Sequence, residues 1–105
     1  MELNLTHISP LPTSVIEFIE SLAKNINVNR IIVFGSRANS DYNKYSDLDL
    51  AIDAPSITKI EWLQIKEYAY YDVRTVIQIS LIHYNINPLR LQNQILTTGK
   101  IIYVK

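Results

Sequence analysis

Two short stretches of this chain carry residues whose types and spacing suit chemistry. Gly35-Ser36-Arg37 follows directly on the apolar run Arg30 to Phe34, and Asp47-Leu48-Asp49 opens a second apolar run after the polar residues 37–46. Side chains on a strand alternate between its faces, so Asp47 and Asp49 point the same way, with Cα atoms about 6–7 Å apart. Two carboxylates so placed can hold a hard cation such as Mg²⁺, which takes a few carboxylates together with waters and substrate phosphates. Gly35 lets backbone approach a phosphate closely. Ser36 adds a hydroxyl, and the amides after it are expected to open a helix whose N-terminus favours an anion. Arg37 adds a charge-assisted donor for phosphate. The chemistry implied is that of a metal-bound triphosphate. Gly-Ser alone is usually a turn, and Asp-x-Asp alone is often a strand end, so the signal lies in their order and separation.

Those residues need a frame. Val15, Phe18, Ile19, Leu22 and Ile26 fall at helical spacing behind Ser14 and Glu17, which fit a capping box. Arg30 to Phe34 reads as a buried strand ended by Gly35, and residues 37–46 as a short helical turn plus loop. Asp47 to Asp53 reads as a second strand, closed by Pro55, with Leu48, Leu50 and Ile52 anchoring its other face. Ser56 or Thr58 caps a helix running to about Tyr71. Thr75 to Tyr84 reads as a third strand. Asn87-Pro88 starts a last helix, Leu89 to Thr98, with Gly99 as its C-cap, and Lys-Ile-Ile-Tyr-Val forms a fourth, edge strand. The expected architecture is α/β (α+β): a small mixed sheet of about four strands flanked by helices, in a single domain over residues 1–105.

Composition narrows the classes. With 105 residues, 48% hydrophobic and 19% charged, the chain suits one globular domain with a modest core, so association with itself or a partner is expected. The absence of cysteine excludes disulfides and Cys-based zinc sites. With an N-terminus unlike a signal peptide, this fits a cytoplasmic protein. No apolar run approaches the ~20 residues that span a bilayer. Net charge is zero, a poor basis for gripping nucleic acid. All the acids lie at or before Asp72, while Arg74, Arg90, Lys100 and Lys105 come after it.

The stretch Gly35 to Asp53, with its Gly-Ser and Asp-x-Asp, resembles the motif of the minimal nucleotidyltransferases in the DNA polymerase beta superfamily. The resemblance extends over nearly the whole chain, including the closing Ile95, Gly99, Ile102 and Tyr103. It implies a polymerase-beta-like fold, with Gly35, Ser36 and Arg37 binding a nucleoside triphosphate and Asp47 and Asp49 serving as catalytic Mg²⁺ (or Mn²⁺) ligands. It further implies transfer of AMP from ATP, or of another nucleotide, to a hydroxyl of a protein partner. Members of this subgroup pair with all-α HEPN proteins as antitoxin and toxin, so a HEPN partner is implied here.

The resemblance also implies a third carboxylate on the next strand, and this chain lacks it. The position falls on Ser80, or on Gln78 in the alternative register, and no acid occurs after Asp72. Asp53 shares the face of Asp49 but lies about 13 Å along the strand, too far to substitute. Two carboxylates still suffice to bind Mg-ATP. Loss of the third weakens a second metal and removes a candidate base, a group typically worth ~10²–10⁴-fold. Two readings therefore stand: a nucleotidyltransferase, or a protein of the same fold that neutralises a HEPN-type partner by contact. Elsewhere, His83 and Trp62 read as structural. Tyr42 and Tyr45 pack or stack on a base. Tyr68, Tyr70 and Tyr71 read first as core and second as a partner interface.

Overall fold

The computed structural model describes residues 3–39 and 41–105. Its elements run α1 (Thr13–Lys24), β1 (Arg30–Phe34), β2 (Leu48–Asp53), α2 (Lys59–Glu67), β3 (Ile79–His83), α3 (Leu89–Thr98) and β4 (Lys100–Val104). Short 3₁₀ turns cover Thr6–Ile8, Gly35–Ala38 and Tyr84–Ile86, and a π-helical turn, Tyr68–Asp72, extends α2. The four strands form one mixed sheet in the order β3-β2-β1-β4. Only the β2–β3 pair is parallel; β1 runs antiparallel to both β2 and β4.

Strand parity divides the core. Ile31, Val33, Leu48, Leu50 and Ile52 are fully buried on one face, under Val15, Phe18, Ile19 and Leu22 of α1 and partly buried Trp62 and Ile65 of α2. On the other face Ile32 and Ala51 pack with Tyr84 and with Ile95 of α3, flanked by Phe34 and Ile82. This second face also carries Asp49, Asp53 and Ser80, so the face with the smaller apolar cluster is the one that bears the polar site.

Several sequence-based boundaries move, each for a local reason. The capping box does not form: α1 starts at Thr13 behind Pro12, and the Ser14 hydroxyl donates to the Arg74 carbonyl at 2.7 Å. The helix stops at Lys24 because the Asn25 side-chain oxygen accepts the Asn27 N–H at 2.9 Å, a turn that competes with helix. Ile26 is thereby 78% exposed rather than core. Strand β3 begins at Ile79, not Thr75, since the Thr75 hydroxyl accepts the Ile77 N–H at 3.0 Å and turns the chain there. Thr58, not Ser56, caps α2 by accepting the Glu61 N–H at 3.1 Å. Helix α3 keeps its expected bounds, although Asn87 does not cap it; that side chain donates to the His83 carbonyl at 2.7 Å.

Gly99 ends α3 as expected, but in extended rather than left-handed backbone. Its reason is close approach: a Cβ there would lie 2.5 Å from the Ile95 carbonyl oxygen and 2.8 Å from that of Val33. Both obstacles are backbone, which cannot swing aside. Gly99→Ala is expected to cost about 1–3 kcal/mol, the usual range for overpacking, read as a lower urea midpoint at unchanged slope.

Candidate active site

The end of β1 and the start of β2 meet by register. Phe34 pairs with Asp49, so the turn after Phe34 lies level with the Asp49 carboxylate. Gly35 adopts φ +72°, a left-handed conformation that L side chains rarely take, and a Cβ there would run into that carboxylate. The backbone conformation favours glycine here, and a side chain would also displace the carboxylate seated over the turn. Gly35 and Ser36 are both exposed. The chain makes a single 3₁₀ turn here, Gly35–Ala38, and not the helix expected from sequence. One turn sums few peptide dipoles, so little macrodipole is available to an anion.

Asp47 is exposed just ahead of β2, and Asp49 is half-buried within it. Burial pushes the Asp49 carboxyl above the ordinary carboxylate range; the Asp47 charge adds to this, and Ser80 opposes it. Strand β3 runs parallel to β2 with Ser80 in register with Asp49. Gln78 precedes the strand, exposed, and its carbonyl accepts the Leu48 N–H at 2.9 Å. Of the two registers read from sequence, the structure thus sets Ser80 beside Asp49. A serine hydroxyl there can donate to the carboxylate but adds no negative charge. Among the described residues no cluster of three or more His, Cys, Asp or Glu could hold a metal ion.

The pair that is present fits one divalent cation. The raised Asp49 carboxyl reflects desolvation and like-charge repulsion, and a cation shared with Asp47 relieves the repulsion. Asp47 is open to solvent, leaving room for the waters and phosphates that Mg²⁺ keeps. A second cation lacks a ligand.

Arg37 is a correction. It was expected at the phosphates, yet it is 1% exposed and spends its donors on backbone carbonyls. Nε reaches Ser46 at 3.0 Å, one terminal nitrogen reaches Ile8 at 3.0 Å, and the other reaches Lys44 at 3.2 Å and Asn43 at 3.4 Å. The side chain ties the loop that delivers Asp47 to the turn at Ile8. Tyr42 belongs to the same clamp: its ring lies 5.0 Å from the guanidinium, and its hydroxyl donates to His7 at 2.7 Å and Ser9 at 2.9 Å. Tyr42 therefore packs, and does not face a base. Tyr45 is exposed beside Lys44.

His83 and Trp62 are structural, as the sequence suggests. Their rings lie 5.1 Å apart, and His83 Nε2 pairs with the Ala54 carbonyl at 2.9 Å. Asp53 stands at the far end of β2, held by Arg30 at 2.6 Å and Asn85 at 2.8 Å. Asn85 also accepts the Ala54 N–H at 2.7 Å, a linking role that no sequence signal announced. The tyrosine cluster is a second correction. Tyr68, Tyr70 and Tyr71 are at least half exposed, so the core reading fails.

A cleft of about 290 Å³ opens beside the Gly35 turn, walled by Phe34, Asn39 and, from α3, Leu91 and Thr98. Nothing in the sequence marked α3 as a wall of the site. A larger groove of about 720 Å³ runs between the His7–Pro10 segment and the Tyr42–Lys44 loop; Asp47 and Asp49 line neither space, and Gly35 does not line the larger one. The smaller cleft, which Gly35 itself lines, is the better match to the chemistry.

A four-stranded mixed sheet with a Gly-Ser turn set against an Asp-x-Asp strand is the arrangement of a polymerase-beta-like nucleotidyltransferase fold. The polymerase beta nucleotidyltransferase family profile matches residues 17–105, and the chain belongs to that family. No curated protein sequence matches the chain. Among solved structures, it is similar to a toxin–antitoxin complex with AMP-PNP, at 20% identity and TM-score 0.61, covering 88% of this chain and 72% of the other. It is also similar to the MntA–HepT toxin–antitoxin, at 19% identity and TM-score 0.54, covering 87% and 68%. A third likeness is to the tri-AMPylated Shewanella oneidensis HEPN toxin in complex with its MNT antitoxin, at 21% identity and TM-score 0.55, covering 87% and 67%. Among the described residues no helix is long and apolar enough to cross a membrane.

Proposed function

We propose that this chain transfers a nucleotidyl group, AMP from Mg-ATP, to a hydroxyl on a protein partner, and that the partner is an all-α HEPN protein held in a toxin–antitoxin pair. The observation that carries the reading is the close approach of the Gly35 turn to the Asp49 carboxylate, with Asp47 near enough for its charge to act on Asp49. The similar complexes add support, one with AMP-PNP and one with an AMPylated HEPN toxin. In this reading Gly35 and Ser36 receive the triphosphate, and Asp47 and Asp49 hold one Mg²⁺ or Mn²⁺. Such an ion, when bound, neutralises phosphate charge and fixes the α-phosphate for attack. The acceptor oxygen attacks the α-phosphorus, the bond to the bridging oxygen breaks, pyrophosphate leaves, and the hydroxyl proton passes to solvent. A cysteine-free chain with this partner is read as cytoplasmic.

Ser80 favours a second reading, in which the chain binds nucleotide and neutralises its partner by contact with little chemistry. Ser80 occupies the place beside Asp49 where the resemblance implies an acid. Ser80→Asp is therefore expected to raise transfer about tenfold, less than the ~10²–10⁴-fold a base typically contributes, because crowding three carboxylates offsets part of the gain. Gln78→Asp is the control and is expected to do nothing. The deciding assay incubates the chain and a co-expressed HEPN-fold partner with ATP labelled at the α-phosphate. Label on the partner supports transfer. A partner inhibited without label supports the contact reading.

A further inference from the structure

The two carboxylates of the site are fixed by different means. Asp49 sits inside the sheet, in register with Phe34 on one side and Ser80 on the other. Asp47 stands ahead of β2, outside those ladders, and is exposed. Its charge still acts on Asp49, so the two lie close. A cation shared by both needs their separation held, and for Asp47 that task falls to the residues before it.

Those residues form a closed turn. The Asn43 carbonyl accepts the Ser46 N–H at 3.1 Å, the Ser46 hydroxyl accepts the Asn43 N–H at 3.0 Å, and the Asn43 side-chain oxygen accepts the Tyr45 N–H at 2.8 Å. These bonds fix the shape of the turn but not its place. Its place is set by Arg37: the carbonyls of Asn43, Lys44 and Ser46 converge on the guanidinium, which also reaches the carbonyl of Ile8, a fully buried core residue. Among the described residues Arg37 has no carboxylate partner. Burying an unpaired cation is costly, and an apolar side chain fills space more cheaply. What the guanidinium adds over such a filler is direction, a planar fork of donors aimed at carbonyls of separate segments. Arg37 also belongs to the Gly35–Ala38 turn, directly after Ser36. One side chain thus ties the turn assigned to the phosphates to the loop that carries Asp47.

We propose that Arg37 is a positioning residue for the cation site: its guanidinium fixes the Asn43–Ser46 turn so that Asp47 stands at the separation from Asp49 that one small divalent cation requires. This rests on the proposed transfer reading, in which the two carboxylates share a cation. Tyr42 closes the clamp from outside, with its ring 5.0 Å from the guanidinium and its hydroxyl on the His7 and Ser9 carbonyls. The clamp also bears on which cation is held. Mg²⁺ demands near-ideal octahedral geometry, whereas Ca²⁺ accepts flexible and irregular ligand sets. Loosening Asp47 therefore penalises Mg²⁺ more than Ca²⁺.

The test uses the whole chain without nucleotide. Mn²⁺ is titrated with the free ion read by electron paramagnetic resonance, and Mg²⁺ and Ca²⁺ are measured by competition with it. Arg37→Lys is expected to weaken Mg²⁺ about tenfold, as removal of a group that supports a metal ligand does, and Ca²⁺ by less. In an Asp47→Asn background the same substitution should change nothing further, because its route to the cation is already gone. Tyr42→Phe keeps the ring over the guanidinium and drops the hydroxyl tie. It should show the same pattern at about threefold, so the result stands even if Arg37→Lys fails to fold. Ile52→Val, at the far end of β2, should lower stability and leave every cation affinity alone. In the metal-free chain, amide exchange at Ser46 read by NMR should quicken about tenfold in Arg37→Lys relative to Leu50 inside the sheet. Equal losses for Mg²⁺ and Ca²⁺, or a loss that persists in Asp47→Asn, overturn the proposal. Unchanged Ser46 exchange overturns it whatever the metals do. A wild type that binds no divalent cation while Ser46 exchange responds as expected defeats the shared cation instead, and the transfer reading with it.

Discussion

Asp49→Asn is expected to make the metal-free chain more stable and, at the same time, to weaken its Mg²⁺-dependent nucleotide binding by at least ~100-fold. Partners that merely support metal ligands already cost 10–100-fold when removed, so loss of a ligand should cost at least the upper figure. The stability gain has the opposite origin. Burial and the Asp47 charge raise the Asp49 carboxyl, so the folded state holds this proton more tightly than the unfolded one. Stability then falls as pH rises from the ordinary carboxylate pKa through the raised one, and the deficit persists to neutrality. The site is half-buried and solvent screens it, so the deficit stays below about 1 kcal/mol, a few degrees in Tm. Thermal denaturation of wild type and variant across acidic to neutral pH should show the curves converging at low pH and separating at neutral pH. Added Mg²⁺ should raise the wild-type Tm and leave the variant unmoved. A variant less stable than wild type at neutral pH without metal would contradict the repulsive pair.

Arg37→Ala is expected to cost about 3 kcal/mol or more, lowering Tm by more than about 10 °C. Four backbone carbonyls, those of Ile8, Asn43, Lys44 and Ser46, lose a charged donor at once, and the side chain's buried volume is lost as well. Arg37→Lys keeps the charge but not the planar fork, and should recover less than half of the loss. Urea denaturation of both variants checks this. A direct phosphate ligand gives the reverse pattern, intact stability with lost nucleotide binding, and that outcome would return Arg37 to the phosphates.

The parts of this molecule that sequence exposes are those fixed by neighbours in sequence. Strand β2 shows itself because Leu48, Leu50 and Ile52 alternate with Asp47, Asp49 and Asp53, and burial on one face leaves that mark directly. Helix α3 is bounded by Pro88 and Gly99, and its limits survive intact. The site's Gly-Ser and Asp-x-Asp are legible for the same reason, since each acts within one turn or one strand. Arg37 misleads because its partners are backbone carbonyls, which every residue has and no sequence advertises. Ser80 against Gln78 depends on the β2–β3 register, a pairing across thirty-one positions that alternation alone leaves ambiguous. The tyrosines mislead because Tyr68 and Tyr71 share a face only on an α-helix; the π-helical turn opens that spacing and leaves the rings outside.

The central claim is that Gly35, Ser36, Asp47 and Asp49 form one Mg²⁺-dependent nucleoside triphosphate site. Calorimetric titration of the chain with ATP, with and without Mg²⁺, and again with the Asp47→Asn/Asp49→Asn double variant, tests it most directly. The expected result is binding of one nucleotide per chain by the wild type only when Mg²⁺ is present, and none by the variant over the same range. Equal binding by both proteins, or no binding by the wild type with Mg²⁺, would contradict it.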